Sequence, residues 1–220
     1  MDIVTAMYQR NSVRRYTDEP LKKEHVESIN SEIYKVNKES GLRFELVTNE
    51  PEAFTGKMAS YGHFSGCTDY IVCIGQKHRD EDIGYYGEKL VLFCQSIGVN
   101  SCWVALTFSK NKTKYELNKN EKFYIVISLG YGIHQGRSHK NKPLEALCKV
   151  NGEMPQWFKN AMDGALTAPT AMNQQKFYFE LIDNNKVKAK SLLGPYSKMD
   201  LGIVKYHFEL GAGDFDFEWV

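Results

Sequence analysis

An α+β fold, with a central mixed or antiparallel sheet flanked by helices, is what the 220-residue sequence predicts, and three observations carry the prediction. Long segments with apolar residues at helical spacing alternate with short β-branched runs such as Tyr70-Ile71-Val72-Cys73-Ile74. The order helix, loop, strand, helix over residues 22–97 returns in rhythm near the C-terminus, which suggests two pseudo-repeated halves. A composition 42% hydrophobic and 25% charged suits a packed core under a solvated exterior.

Asp2 to Gln9 reads as a short helix, because Asp2 can cap it and Ile3, Val4 and Met7 share one side. Arg10 to Pro20 breaks the pattern: Pro20 drives Glu19 from helical angles and leaves a loop carrying three arginines. Lys22 to Lys38 is a second helix, with Val26, Ile29, Ile33 and Val36 on one stripe and Gly41 as its terminator. Arg43 to Thr48 is a strand with Phe44 and Leu46 on one face, and Pro51 to Gly66 is irregular. After the buried strand Tyr70 to Ile74, Asp82 to Ile97 is the best-marked helix, its stripe running through Ile83, Tyr86, Leu90, Cys94 and Ile97. Gly98 closes it. A short strand from Ser101 to Leu106, a polar turn region and a strong strand from Lys122 to Leu129 follow. Gly136 to Pro143 is a basic tether. Beyond it lie a helix from Pro155 to Leu166, a strand from Lys176 to Ile182, and a helix from Asp200 to Leu210 ended by Gly211. The halves are read as residues 1–150 and 151–220 of one integrated domain.

With 28 Lys+Arg against 27 Asp+Glu the net charge is +1, so no global basic field is available for a nucleic-acid backbone. No apolar stretch approaches a membrane span, and Met1-Asp2-Ile3-Val4 does not begin a secretory signal, so a cytoplasmic protein without a membrane partner is expected. Five cysteines without a C-x-x-C pair read as reduced, packed thiols. Six scattered histidines offer no metal-binding spacing.

Four segments could carry chemistry. In an extended backbone alternate residues point the same way, so Arg10, Ser12 and Arg14 can converge on one anion, and guanidinium forks match phosphate oxygens. Arg137, His139, Lys140 and Lys142 form a second basic cluster after a strand; a solvated linker is the plainer reading of it. Small residues around Gly98 to Leu106 would let a flat heteroaromatic ring approach the backbone, although Cys102 and Trp103 fit a core equally well. Ala168 to Phe177 is rich in side-chain amides, which can donate to and accept from the edge of a pyrimidine-like ring, or simply build a turn.

These segments together resemble the FMN-dependent nitroreductase superfamily. Arg10-Asn11-Ser12-Val13-Arg14-Arg15-Tyr16 with Glu19-Pro20 is similar to its R-R-S-x-R-x-[FY] signature. Gly87-Glu88 and then Gly98-x-x-x-Cys102-Trp103-Val104 resemble the segment ending G-L-G-T-C-W-V. Leu129-Gly130-Tyr131 with Arg137, Lys140 and Lys142-Pro143-Leu144-Glu145 resemble L-G-Y-P…R-x-x-[RK]…K-P-L-E, and Ala168-Pro169-Thr170-x-x-Asn173-x-Gln175 resembles A-P-S-x-x-N-x-Q-P. Two departures stand out. The asparagine motif comes last instead of second, as in a tandem-half subgroup, and Lys176 replaces its proline.

The resemblance implies a nitroreductase-like fold and a non-covalent FMN. Its phosphate would meet Arg10, Arg14, Arg137 and Lys140. Its ring edge would meet Ser12, Asn173 and Gln175, and the backbone of Val104, Ala105 and Leu106 would face the reactive ring nitrogen. Asn11, Cys102, Trp103, Pro169 and Thr170 complete the implied cofactor-binding set. NAD(P)H would be the co-substrate and a flat small-molecule electron acceptor, such as a nitroaromatic or quinone, the partner. Specialised flavin chemistry and a non-catalytic flavin-binding protein are the alternatives. Ordinary members are dimers with flavin at the shared interface, so a homodimer and a self-sufficient chain are both open. No general acid is assigned; Tyr61, His63 and Tyr85 read as structural before they read as pocket lining.

Overall fold

Asp2 caps α1 (Ile3–Gln9) as its type predicts, its carboxylate accepting the Thr5 N–H at 2.9 Å. The helix buries Ala6 and Met7 and leaves Val4 exposed, so the apolar side is turned from the one expected. In α2 (Lys23–Ser40), Ile29, Ile33 and Val36 are buried as their spacing predicts, and Gly41 ends the helix at φ +68°. The computed structural model describes residues 1–220. They divide into two compact units, Met1–Arg79 with Lys89–Ser138, and Asp80–Glu88 with His139–Val220.

The first unit continues with β1 (Arg43–Val47), a 3-10 turn at Glu52–Phe54, α3 (Lys57–Tyr61) and β2 (Asp69–Gln76). The expectation of an irregular stretch over Pro51 to Gly66 thus missed one short helix. Helix α4 (Asp80–Ser96) gives its first nine residues to the second unit; Gly98, at φ +86°, follows it. β3 (Asn100–Val104) stops two residues short of the expected end, and β4 (Glu121–Gly130) completes an antiparallel sheet of order β1-β2-β4-β3. Tyr16, Phe54, Phe64, Tyr70, Cys102 and Phe123 belong to the core cluster of this unit.

The second unit holds β5 (Cys148–Val150), α5 (Gln156–Ala165), β6 (Phe177–Asp183), β7 (Lys186–Ser191), α6 (Ser197–Ala212) and β8 (Glu218–Trp219). Its sheet has the order β5-β6-β7-β8, with parallel outer pairs about an antiparallel centre. With six helices the strands give the expected α+β architecture, arranged as two sheets, and the repeat suggested by the sequence rhythm is not confirmed. Strands β5, β7 and β8 escaped prediction: two are three residues or fewer, and β7 buries only Val187 between lysines. Gly211 does not end α6. It lies inside the helix, where a Cβ would come within 2.5 Å of the Asn160 carbonyl of α5, and Gly213, at φ +62°, takes the terminating role. The first turns of α4 approach α6 as closely: a Cβ on Gly202 would sit 1.9 Å from the Glu81 carbonyl. All five cysteines are free buried thiols, and no helix is long and apolar enough to cross a membrane.

Candidate functional site

The arginine loop is fixed by its backbone. Arg10 leaves α1 in an extended conformation, Ser12 forms a parallel bridge with Ser101 of β3, and the Val13 N–H donates to the Ser101 carbonyl at 3.0 Å. Tyr16 anchors the loop from within: its hydroxyl donates to the Val13 carbonyl at 2.7 Å and lies 2.8 Å from Ser128 Oγ. Gly66, at φ +68°, lets the Tyr16 carbonyl approach where a Cβ would be 2.4 Å away.

This placement gives Arg10, Ser12 and Arg14 a common neighbour, Cys102. Burial raises the Cys102 thiol, while Arg14, a hydrogen bond with Ser12, and Arg10 all oppose the rise. Ser12 thus hydrogen-bonds the sulfur, and the charges of its alternate neighbours Arg10 and Arg14 both act on it. Arg14 and Arg137 are exposed, and neither Asp18 nor Glu19 pairs with them. Gly136 passes so close that a Cβ on it would be 2.7 Å from Asn11 Cβ, which sets Arg137 beside the loop. Ser101 Oγ, buried at the bridge, has no hydrogen-bond partner within the chain.

Cys102 is part of the core, and its raised thiol is a poor nucleophile. Trp103 and Ala105 are half-buried, Val104 is buried, and Leu106 is 66% exposed. Beyond Val104 the chain bends out of the β3–β4 ladder, so the next N–H groups are no longer committed to strand pairing.

In the second unit the amide loop has an uncommon backbone. Met172, Asn173 and Gln175 lie at φ +52°, +51° and +43°, and each such residue costs about 1–3 kcal/mol unless its surroundings hold it. Gln175, 2% exposed, is one of the holders. Its Oε1 accepts the Lys142 N–H at 2.7 Å, its Nε2 donates to Asn141 Oδ1 at 2.9 Å, and its own N–H donates to Thr170 Oγ1 at 3.1 Å. Lys142 Nζ adds bonds to the Gln174 and Gln175 carbonyls at 2.6 and 3.1 Å. Gln175 therefore stitches the basic tether to the loop, a different role from reading a ring edge. Asn173 is exposed and spends one amide hydrogen on the Lys140 carbonyl at 2.8 Å; the Lys140 side chain is exposed, and Pro169 and Thr170 are half-buried.

The structure brings together Arg10, Asn11, Ser12, Arg14, Cys102 and Arg137 in the first unit, and Lys140, Thr170, Asn173 and Gln175 in the second. Tyr61 and His63 are exposed. Tyr85 bonds Glu209, and burial with that carboxylate raises its phenol, so it serves the α4–α6 contact. Two buried polar groups went unforeseen. Asp200 faces the amide loop, and His207 lies between Glu88 and Thr167, with Nε2 2.9 Å from Glu88 Oε1 and Nδ1 2.8 Å from Thr167 Oγ1. Glu88 and His207 are 119 residues apart and belong to no motif that marks them as partners.

A family model described as "Putative TM nitroreductase" matches residues 2–212. No curated protein matches. Among solved structures, a "putative nitroreductase" from Thermotoga maritima is 21% identical with a TM-score of 0.68, covering 96% of this chain and 83% of its own. A "Putative NADH dehydrogenase/NAD(P)H nitroreductase" from Parabacteroides distasonis is 18% identical, TM-score 0.51, covering 67% of this chain and 97% of its own. Nitroreductase A from Vibrio parahaemolyticus is 14% identical, TM-score 0.50, covering 66% and 73%.

Proposed function

Since the chain belongs to the family described as "Putative TM nitroreductase", we propose that it is an FMN-dependent oxidoreductase that uses NADH or NADPH to reduce a flat acceptor such as a nitroaromatic or quinone. The observation that best supports this reading is the fixing of Arg10, Ser12 and Arg14 at alternate positions of one loop bridged to Ser101, with Arg137 beside the same loop. Guanidinium groups joined by a hydroxyl form a donor set suited to a phosphate dianion. Ser101, bridged to Ser12, carries a partnerless Oγ on the strand the loop runs along, and Gly136 passes against Asn11 and the Ser12 carbonyl of the same loop. These residues fit a mononucleotide.

When bound, FMN would supply the two-electron chemistry; the chain's part is binding, orientation and electrostatics. Arg10, Arg14 and Arg137, all of the first unit, would offset phosphate charge. Within the second unit, the Asn173 amide, with one hydrogen not given to the Lys140 carbonyl, has the donor and acceptor chemistry of a ring edge, and Gln175 holds the loop that carries it; Ser12 offers a hydroxyl of the same kind in the first unit. Main-chain N–H groups after Val104, outside the ladder, can donate to a ring nitrogen and favour negative charge there. In this reading the chain works in the cytoplasm on a small-molecule acceptor, and its pocket is completed either within the chain or by a second copy of it.

The visible spectrum of the purified protein, followed by NADH and NADPH oxidation with a panel of acceptors, tests the proposal. Oxidised-flavin bands and sustained turnover are expected. A colourless protein that takes up no FMN would refute flavin binding, and bound flavin that neither nicotinamide reduces would leave a sensor in place of an enzyme.

A further inference from the structure

Asp200 sits in the first turn of α6, is 3% exposed, and is the only carboxylate that the amide loop meets. The Ala171 N–H donates to both of its oxygens, at 3.0 and 3.2 Å, and Gln174 Nε2 donates to Oδ2 at 2.9 Å. The Gln174 amide cannot turn over to help a different residue. Its other hydrogen goes to the Pro195 carbonyl at 2.6 Å, so a flip would set two oxygens against each other there. Every partner of Asp200 is thus a donor, and only an ionised carboxylate satisfies all of them. The residues held on either side are those in left-handed conformations, Met172, Asn173 and Gln175.

We propose that Asp200 is a positioning residue for flavin binding, whose carboxylate holds the Thr170–Gln175 loop in the geometry that presents Asn173 to the ring edge. The inference rests on the proposed function, in which that loop reads the flavin. Its charge environment makes the clamp sensitive to acid. Burial raises the Asp200 carboxyl to about 6 against the pull of Gln174 and Ala171, and no ionised side chain contributes. From α4, Gly84 meets the Met199 carbonyl and Glu81 lies against Gly202, with Glu81 paired to Lys205 at 2.9 Å.

The test compares FMN affinity of the full-length wild type and Asp200→Asn between pH 7.5 and pH 5, with amide hydrogen exchange of the 168–176 segment. An asparagine would turn its NH2 towards Gln174 Nε2 or the Ala171 N–H, donor against donor. The variant should bind FMN about tenfold more weakly at pH 7.5, the scale of one charge-assisted bond. The ratio of the two affinities, which cancels titration of the FMN phosphate, should fall towards one at pH 5, where wild-type Asp200 is itself protonated. Exchange should rise in the loop alone. Equal affinities, a ratio independent of pH, or exchange rising throughout α6 would overturn the inference. Should Asp200→Asn misfold, Ala171→Pro removes the same bond from the loop side at a position proline tolerates, and unchanged FMN affinity in that variant would overturn it equally. A wild type that takes up no FMN sinks the functional reading instead, and the exchange comparison then decides the clamp alone.

Discussion

Tyr16→Phe removes one oxygen and nothing else from the tie between the arginine loop and the first sheet. Tyr16 is 2% exposed, and its hydroxyl donates to the Val13 carbonyl at 2.7 Å while lying 2.8 Å from Ser128 Oγ. Ser128 keeps a second partner, the Cys102 carbonyl at 3.2 Å, so its loss is partial. The Val13 carbonyl, in a fully buried residue, loses its bond outright. A buried acceptor left unsatisfied costs about 1–3 kcal/mol, and the phenyl ring fills the same space, so no cavity penalty adds to it. A loss of about 2 kcal/mol follows, or roughly 4–8 °C in melting temperature for a chain of this size. Urea unfolding should show a lower midpoint at unchanged slope. FMN should also bind more weakly, because Ser12 and Arg14 flank Val13. A change under about 0.5 kcal/mol with unaltered FMN affinity would refute the claim that this hydroxyl sets the loop.

Gly202→Ala would place a methyl 1.9 Å from the Glu81 carbonyl and 2.7 Å from the Tyr85 nitrogen, both backbone atoms that cannot swing away. Thermal melting should report a loss of at least about 1–3 kcal/mol, and an unchanged melt would contradict the close α4–α6 approach. Arg14→Ala should weaken FMN binding by about 1.5–3 kcal/mol; a titration with wild-type affinity would remove Arg14 from the phosphate. Arg43 bonds Glu121 through two nitrogens and holds its carboxyl down at about 2, below the unfolded 4.5. That stabilisation is present above pH 4.5 and fades as the pH falls towards 2, so the gap between wild type and Arg43→Ala in urea midpoint should narrow over that interval. Asp200 acts with the opposite sign: its folded value, about 6, exceeds the unfolded 3.8, so this group favours the folded state progressively as the pH drops through that window. Asp200→Asn should remove that rise, and a stability profile identical to wild type would show the carboxyl is not raised.

Local signals in the sequence are legible where one residue type has one physical use. Gly41 and Gly98 mark helix ends because each takes a left-handed φ, and the stripe through Ile29, Ile33 and Val36 marks a buried helical face. Gly211 shows the limit of that reasoning. Glycine also permits close helix packing, and nothing local distinguishes this use from termination. Strand β7 was hidden because three lysines mask its single buried valine. At the site, the alternation of Arg10, Ser12 and Arg14 was legible because extended backbone has a fixed period, and these side chains do share one environment. The scaffold role of Gln175 and the clamp at Asp200 were not. Both depend on partners brought up by distant segments, Lys142 for one and the amide loop for the other, and amide or carboxylate chemistry alone does not name its partner.

His207 lies in a chain of hydrogen bonds whose hydrogens can be counted. A hydroxyl has one hydrogen to give, and Thr167 gives its own to the Gly164 carbonyl at 2.7 Å. The bond between Thr167 Oγ1 and His207 Nδ1 must then use an imidazole hydrogen, which leaves a single hydrogen to be shared between Nε2 and Glu88 Oε1. Whichever atom owns it, the acid and the imidazole together carry no net charge into an interior sealed from water. Glutamine at position 88 can bring the same hydrogen on its own amide, whereas leucine strands a lone pair in hydrocarbon. The inventory therefore distinguishes two replacements of similar size, and it does so by what they can donate.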